Sequence, residues 1–214
     1  MATKAKRSVP IPGFPSGRLQ SLSDGVMAFA LTLLALNIKI PQLGVLDNGG
    51  QLADFLWRQW PAYVVFTISF VIIIMVWANH HNLFRFLERV DPVLVLLNAA
   101  ILLCVVLVPV SASLLAQYLL GSPADARLAC LVYGGLFTVG SFFFGAIWRY
   151  GNRVGLVDPA VDPALHRRLS SHFRVGPLVY GVSTLLCFVS VWLSILLFLA
   201  GIGRYLVTLR GKEA

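Results

Sequence analysis

Charge is scarce in this chain, and acid is scarcer still. Only 12% of its 214 residues are charged, with nine Asp and Glu against 17 Lys and Arg, and the mean hydropathy is +0.81. An ordinary soluble domain carries about twice that charge fraction. Cysteine is rare too. Cys104, Cys130 and Cys187 each lie inside an apolar run, in an odd number and at no zinc or redox spacing, so they read as small buried thiols. There is no nucleophile elbow, no phosphate-cradling glycine loop, no zinc-binding helix motif and no pair of intramembrane carboxylates. No enzyme class and no cofactor are therefore indicated. The net charge of +8 invites a nucleic-acid reading, but the basic residues sit at the ends of apolar runs rather than on one face.

Long apolar runs are what the chain has in abundance. A membrane span needs about 20 such residues. The first candidate covers residues 19–40 and stops at Pro41; the second covers 55–77, the third 93–120 and the fourth 126–147. Residues 175–207 form one apolar run of 33 residues. As a single helix it would be about 50 Å long, far more than a hydrocarbon core about 30 Å thick. It is therefore divided into two short spans turning near Ser190. The expected fold is an all-α membrane protein with six transmembrane helices.

Charge bias supports that division. With the N-terminus inside, six spans put 14 basic residues in the cytoplasm and leave only Lys39, Arg58 and Arg127 outside. Five spans would strand Arg204, Arg210 and Lys212 on the wrong side. Both termini are thus expected in the cytoplasm. Residues 1–17, basic and proline-containing, read as a disordered cytosolic tail without a signal-peptide core. Residues 18–209 read as one six-helix membrane domain and 210–214 as a second cytosolic tail. A cytoplasmic loop of about 25 residues is expected over 150–174, with Asp158-Pro159 and Asp162-Pro163 as turn or N-cap signals.

The first span carries Ser23, Asp24 and Thr32, and a carboxylate in a membrane helix costs several kcal/mol unless it has partners, about 3 at the helix centre. Helical spacing puts Leu22, Gly25, Phe29, Leu33, Leu36 and Ile40 on one face with Thr32 at its edge. Asp24 points roughly the other way. That apolar face lines a pathway, faces lipid or packs in a core; periodicity alone does not choose among them. At the end of the second span, Trp77-Ala-Asn-His80-His81-Asn-Leu-Phe84 lies at a depth similar to Asp24 if the two helices are antiparallel. Trp77, His80, His81 and Arg18 could then donate to the carboxylate, and Asn98 of the third span could join them. A structural network of this kind is the preferred reading. A proton relay through Asp24 and His80 is the sharper alternative. Metal ligation by the adjacent histidines is disfavoured, because neighbours on a helix point about 100° apart. Thr138-Val-Gly-Ser141 is spelled like a carbonyl-lined filter. It sits mid-span in a continuous apolar helix, however, and reads as small residues for close packing, with Gly134, Gly135, Gly140 and Gly145 nearby.

The run Arg18-x-x-x-Leu22-Ser23-Asp24-Gly25-x-x-Ala28, followed by Thr32 and closed by Pro41, resembles the first-helix signature of the prokaryotic transmembrane protein 175 family, relatives of the endosomal and lysosomal potassium channel. The Trp77 to Phe84 segment is similar to that family's second helix. The resemblance implies a homotetramer whose first helices line a central pore, with no carbonyl filter. It implies a constriction of large apolar side chains at Phe29, with further rings at Leu33 and Leu36, and a selectivity layer at Thr32. Arg18, Asp24, Trp77 and His80, with Ser23 beside them, would hold the pore helix in place. Two departures are noted: Leu22 stands for the family's phenylalanine, and Phe29 for its isoleucine or leucine.

The expected function is a potassium-favouring, leak-type cation channel with a hydrophobic constriction, in a prokaryotic plasma membrane. Its partners would be copies of itself, membrane lipids and potassium ions, the permeant species. The chain has no arginine-rich voltage-sensing helix, which favours a leak over strong gating. The alternative is a proton-coupled transporter using Asp24 and His80, although no internal repeats or paired broken helices are evident.

Overall fold

The protein is described by a computed structural model over residues 14–41, 51–87 and 89–210. A short strand β1 (Phe14–Pro15) leads into helix α1 (Gly17–Leu34), which tightens into a 3-10 turn at Ala35–Asn37. Helices α2 (Gln51–Arg58) and α3 (Trp60–Phe84) follow, then strand β2 (Arg89–Val90) and helices α4 (Pro92–Tyr118), α5 (Pro123–Val154), α6 (Pro163–Leu185) and α7 (Val191–Arg210). Among the described residues, four segments are long and apolar enough to cross a membrane: Gly17–Asn37, Trp60–Phe84, Pro92–Tyr118 and Pro123–Val154; Val191–Gly201 is a shorter apolar helix.

Proline and its flanking residues set the helix starts. Asp91 precedes Pro92 and accepts from the Leu94 amide at 2.9 Å, Ser122 precedes Pro123 and accepts from the Asp125 amide at 3.2 Å, and Asp162 precedes Pro163 and accepts from the Leu165 amide at 3.0 Å. Each proline occupies the first turn, where its missing N–H removes nothing. Asp158 closes a turn instead, accepting from the Ala160 amide at 2.7 Å. Helix α5 ends on Gly155, whose φ of 73° is the left-handed cap that glycine adopts without strain.

Three expectations change. The second span starts at Trp60 rather than residue 55, because Pro61 cannot continue a helix arriving from α2. Gln59, in the break, clamps the chain after α1: its Oε1 accepts from the Lys39 amide at 2.8 Å and its Nε2 donates to the Lys39 carbonyl at 2.9 Å. The expected loop over 150–174 is mostly helix. Helix α5 runs on to Val154 and α6 begins at Pro163, so Arg167, Arg168 and Arg174 are helical. Hydropathy marks where lipid would end, whereas the caps mark where the helix ends. The expected disordered tail over 1–17 also overlaps structured residues. Phe14 and Pro15 pair antiparallel with Val90 and Arg89, and α1 already includes Gly17, while 1–13 and 211–214 lie outside the described residues. The long apolar run does divide where expected: α6 gives way to a 3-10 turn at Leu186–Phe188, and α7 starts after Ser190.

The core lies where α4 meets α1, α3 and α5, with α6 against α5. Ile72, Ile73, Leu94, Ile101, Leu115 and Ile147 are among its fully buried side chains. The α5–α6 seam is closed by glycines, as the packing reading of that segment anticipated. A Cβ on Gly134 would stand 2.3 Å from Thr184 Oγ1, and one on Gly145 would stand 2.9 Å from the Phe173 carbonyl oxygen. Thr138 lies within continuous α5 and donates to the Gly134 carbonyl at 2.9 Å, which leaves no irregular loop at the filter-like sequence. Outward faces are apolar; on α4, Leu96, Leu103 and Val110 recur every seventh residue and are exposed.

Candidate functional site

Helix α1 is half covered by the rest of the chain. Leu19, Ser23, Met27, Ala30 and Leu34 form its buried stripe. At about 100° per residue, the centre of that stripe lies about 120° from Phe29. The uncovered side carries Leu22 (58% exposed) and Phe29 (64%), with Leu33 half-buried, and Leu36 (76%) follows in the 3-10 turn. Thr32 is also exposed and donates its hydroxyl proton to the Phe29 carbonyl at 2.7 Å. With that proton committed to the backbone, the oxygen presents its lone pairs outward.

Ser23, rather than Asp24, occupies the buried place on α1. Its hydroxyl donates to the Leu19 carbonyl at 2.8 Å and accepts from Asn98 Nδ2 at 3.0 Å. Asn98 Oδ1 in turn meets His80 Nε2 at 2.8 Å, and all three side chains are completely buried. The direction of this chain is determined. A carbonyl only accepts, so the serine proton points to Leu19 and its oxygen is left to accept from the asparagine amide. The asparagine oxygen therefore faces the histidine, and Nε2 carries the proton. His80 stacks on Phe84 at 4.3 Å between ring centroids, and its Nδ1 has no partner among the described residues.

Asp24 belongs to a separate, exposed pair. Its Oδ1 accepts from the Trp77 indole Nε1 at 2.9 Å, and the Trp77 ring stacks on His81 at 6.1 Å. The structure thus brings Ser23, Asn98 and His80 together in one network and Asp24, Trp77 and His81 in another. It does not join His80 to Asp24, and Arg18 is exposed and bonds to neither group among the described residues. The two networks clamp α1 to α4 and to α3. Asn37 adds a third tie at the far end, donating from Nδ2 to the Pro109 carbonyl at 2.9 Å. That tie has no sequence signal beyond a polar residue beside an apolar run. Among the described residues, no cluster of three or more His, Cys, Asp or Glu side chains could hold a metal.

The comparisons fit this geometry. The family model described as "Endosomal/lysosomal potassium channel TMEM175" matches residues 18–109, which begin at the α1 signature and end at Pro109 of α4. A potassium channel of Streptomyces collinus is 39% identical over 181 residues, 84% of this chain and 86% of the relative. A potassium channel of Chamaesiphon minutus is 36% identical over 181 residues, 84% of this chain and 88% of the relative. The crystal structure described as a lysosomal potassium-selective channel TMEM175 homolog from Chamaesiphon minutus superposes with a TM-score of 0.77 at 33% identity, covering 90% of this chain and 97% of that one. A signature helix held by buried side-chain bonds, four described helices long and apolar enough to cross a membrane, and relatives matched along most of their length lead to one conclusion: this chain is a multi-pass membrane protein of the TMEM175 family, a family of ion channels and not of enzymes.

Proposed function

We propose that the protein is a potassium-favouring, leak-type cation channel, assembled as a homotetramer around four copies of α1. The observation that carries the reading is the uncovered apolar face of α1 and the turn that follows it, with Phe29 64% and Leu36 76% exposed, on a helix whose other side is bonded into the subunit. A face this apolar on the family's signature helix is the natural lining of a symmetric pore. Phe29, Leu33 and Leu36 form its constriction. A narrow apolar ring dewets and raises the barrier to a hydrated ion. Four phenyl rings turned edge-on or face-on set that barrier, and their faces attract a cation. The outward oxygen of Thr32 offers a polar layer beside them.

The preference for potassium follows the relatives, which are named potassium channels. The proposed channel has six spans, with α6 and α7, on either side of the break in the last apolar run, taken as the fifth and sixth. They put both termini in the cytoplasm, in a prokaryotic plasma membrane, with most Lys and Arg inside. Proton-coupled transport through Asp24 and His80 is less well supported, because the two residues sit in separate networks and the His80 chain ends on a backbone carbonyl.

Potassium flux into proteoliposomes tests the channel. Wild type is expected to conduct and Phe29→Ala to conduct more. An absence of flux from both proteins overturns the proposal.

A further inference from the structure

The last turns of α5 and the first half of α6 enclose a groove of about 430 Å³ at the end of the bundle where the α5–α6 connection lies. That size falls within the range of small-ligand pockets, about 300–1,000 Å³. At about 1.5 Å per residue, the 32 residues of α5 extend about 48 Å, so its C-terminal turns project beyond a hydrocarbon core about 30 Å thick. The groove sits on that projecting part.

Its lining is strongly one-signed. Arg149, Arg153 and Arg174 line it together with His166, and no acidic residue does. The nearest acids in sequence, Asp158 and Asp162, accept from backbone amides of their own turns. Three guanidinium groups around one hollow repel one another unless an anion lies between them. None of the three is ion-paired among the described residues. Arg174 uses only Nε, donating to the Ser170 carbonyl at 3.1 Å, and Arg149 lies over the Phe142 ring at 5.6 Å from its centroid. These contacts orient Arg149 and Arg174 and leave their terminal nitrogens for a ligand.

The floor is built and rigid. Trp148 is buried; its Nε1 donates to Ser170 Oγ at 2.8 Å and its ring packs on Phe173 at 5.8 Å. His166 is bonded to Asn152. Gly145 lets the α6 backbone approach so closely that any side chain there would meet the Phe173 carbonyl. Two turns toward the centre of α5, Phe142 is 53% exposed, so an apolar surface continues from the basic groove along the helix.

We propose that this groove binds a phosphate-bearing anion, held by Arg149, Arg153 and Arg174. The planar, permanently charged guanidinium suits phosphate oxygens in paired hydrogen bonds. Basic pockets between helices at a membrane surface take lipid head groups by the same chemistry. An anionic phospholipid and free inorganic phosphate are the two sources of that group. The exposed Phe142 below the arginines favours the lipid, since an acyl chain would cover it.

The test uses the full chain purified in a neutral detergent. Its thermal unfolding is followed while phosphatidylglycerol, phosphatidylcholine or inorganic phosphate is titrated in. Phosphatidylglycerol should raise the midpoint of wild type, and phosphatidylcholine should not. Each of Arg149→Gln, Arg153→Gln and Arg174→Gln should weaken the apparent affinity about fivefold. The triple variant should lose the shift, whereas Arg85→Gln, a basic residue at the same end but outside the groove, should keep it. Should the triple variant not fold, the three single variants decide the matter. A shift with the lipid alone supports the site and identifies a lipid; a shift with inorganic phosphate as well supports it and identifies a site open to soluble anions. A shift that survives all three substitutions, or no shift with either anion, overturns the proposal.

Discussion

Asn98 of α4 donates to Ser23 of α1 at 3.0 Å while receiving the Nε2 proton of His80 of α3, so one amide side chain fixes three helices to one another. All three groups are fully buried, which makes the bond between Asn98 and Ser23 the innermost restraint on the proposed pore helix.

Replacing Asn98 with Leu should therefore be costly. It removes both interhelical bonds and leaves the His80 N–H without an acceptor. Interhelical side-chain hydrogen bonds in membranes average about 0.6 kcal/mol and reach about 1.7, so a loss of roughly 1–3 kcal/mol is expected. Thermal unfolding in detergent measures it. Ser23→Ala, which removes one acceptor, should cost less than half as much.

Trp77→Phe removes the indole donor to Asp24 but keeps a ring against His81. The pair is exposed, so the stability change should stay below about 1 kcal/mol, well under that of Asn98→Leu. Asp24→Asn should likewise leave potassium flux in place, because an amide oxygen still accepts from the indole. Saturable, pH-driven uptake by wild type that Asp24→Asn abolishes with folding intact would instead favour the proton-coupled reading.

Gly134→Ala places a methyl group 2.3 Å from Thr184 Oγ1 and 3.0 Å from both Thr184 Cβ and Cγ2. Overpacking of this kind costs about 1–3 kcal/mol. Adding Thr184→Ala removes the hydroxyl and one methyl, so the double variant should be more stable than the sum of the two single changes predicts. A double-mutant cycle on unfolding midpoints reads this directly, and simple additivity would place the α5–α6 seam elsewhere.

Phe29→Ala should raise potassium flux while shifting the unfolding midpoint of the solubilised subunit little, since the ring is 64% exposed and exposed sites away from special features change stability by about 0.5 kcal/mol or less. Phe29→Trp should lower flux. Flux measured in proteoliposomes, paired with the unfolding midpoint, separates a role in conduction from a role in packing.

Much of this architecture is legible along the chain because its physics is local. Apolar runs long enough for a bilayer, prolines at first turns and Asp or Ser before them are one-dimensional signals, and α4, α5 and the division of the last run follow from them. The signature from Arg18 to Thr32 likewise carries the family. Partner choice is not local. Spacing alone makes Asp24 the residue in need of bonds, since a carboxylate is the costliest group in the segment. Whether Asp24 or Ser23 turns inward depends on a rotation of α1 of about 100°, which is set by how it seats against α3 and α4. The tertiary structure puts Ser23 inside, gives His80 to Asn98, and leaves Asp24 at the rim with Trp77. It also extends α5 and α6 past the apolar boundary, where caps outweigh hydropathy, and so draws Arg149, Arg153 and Arg174 from separate stretches of sequence around one groove.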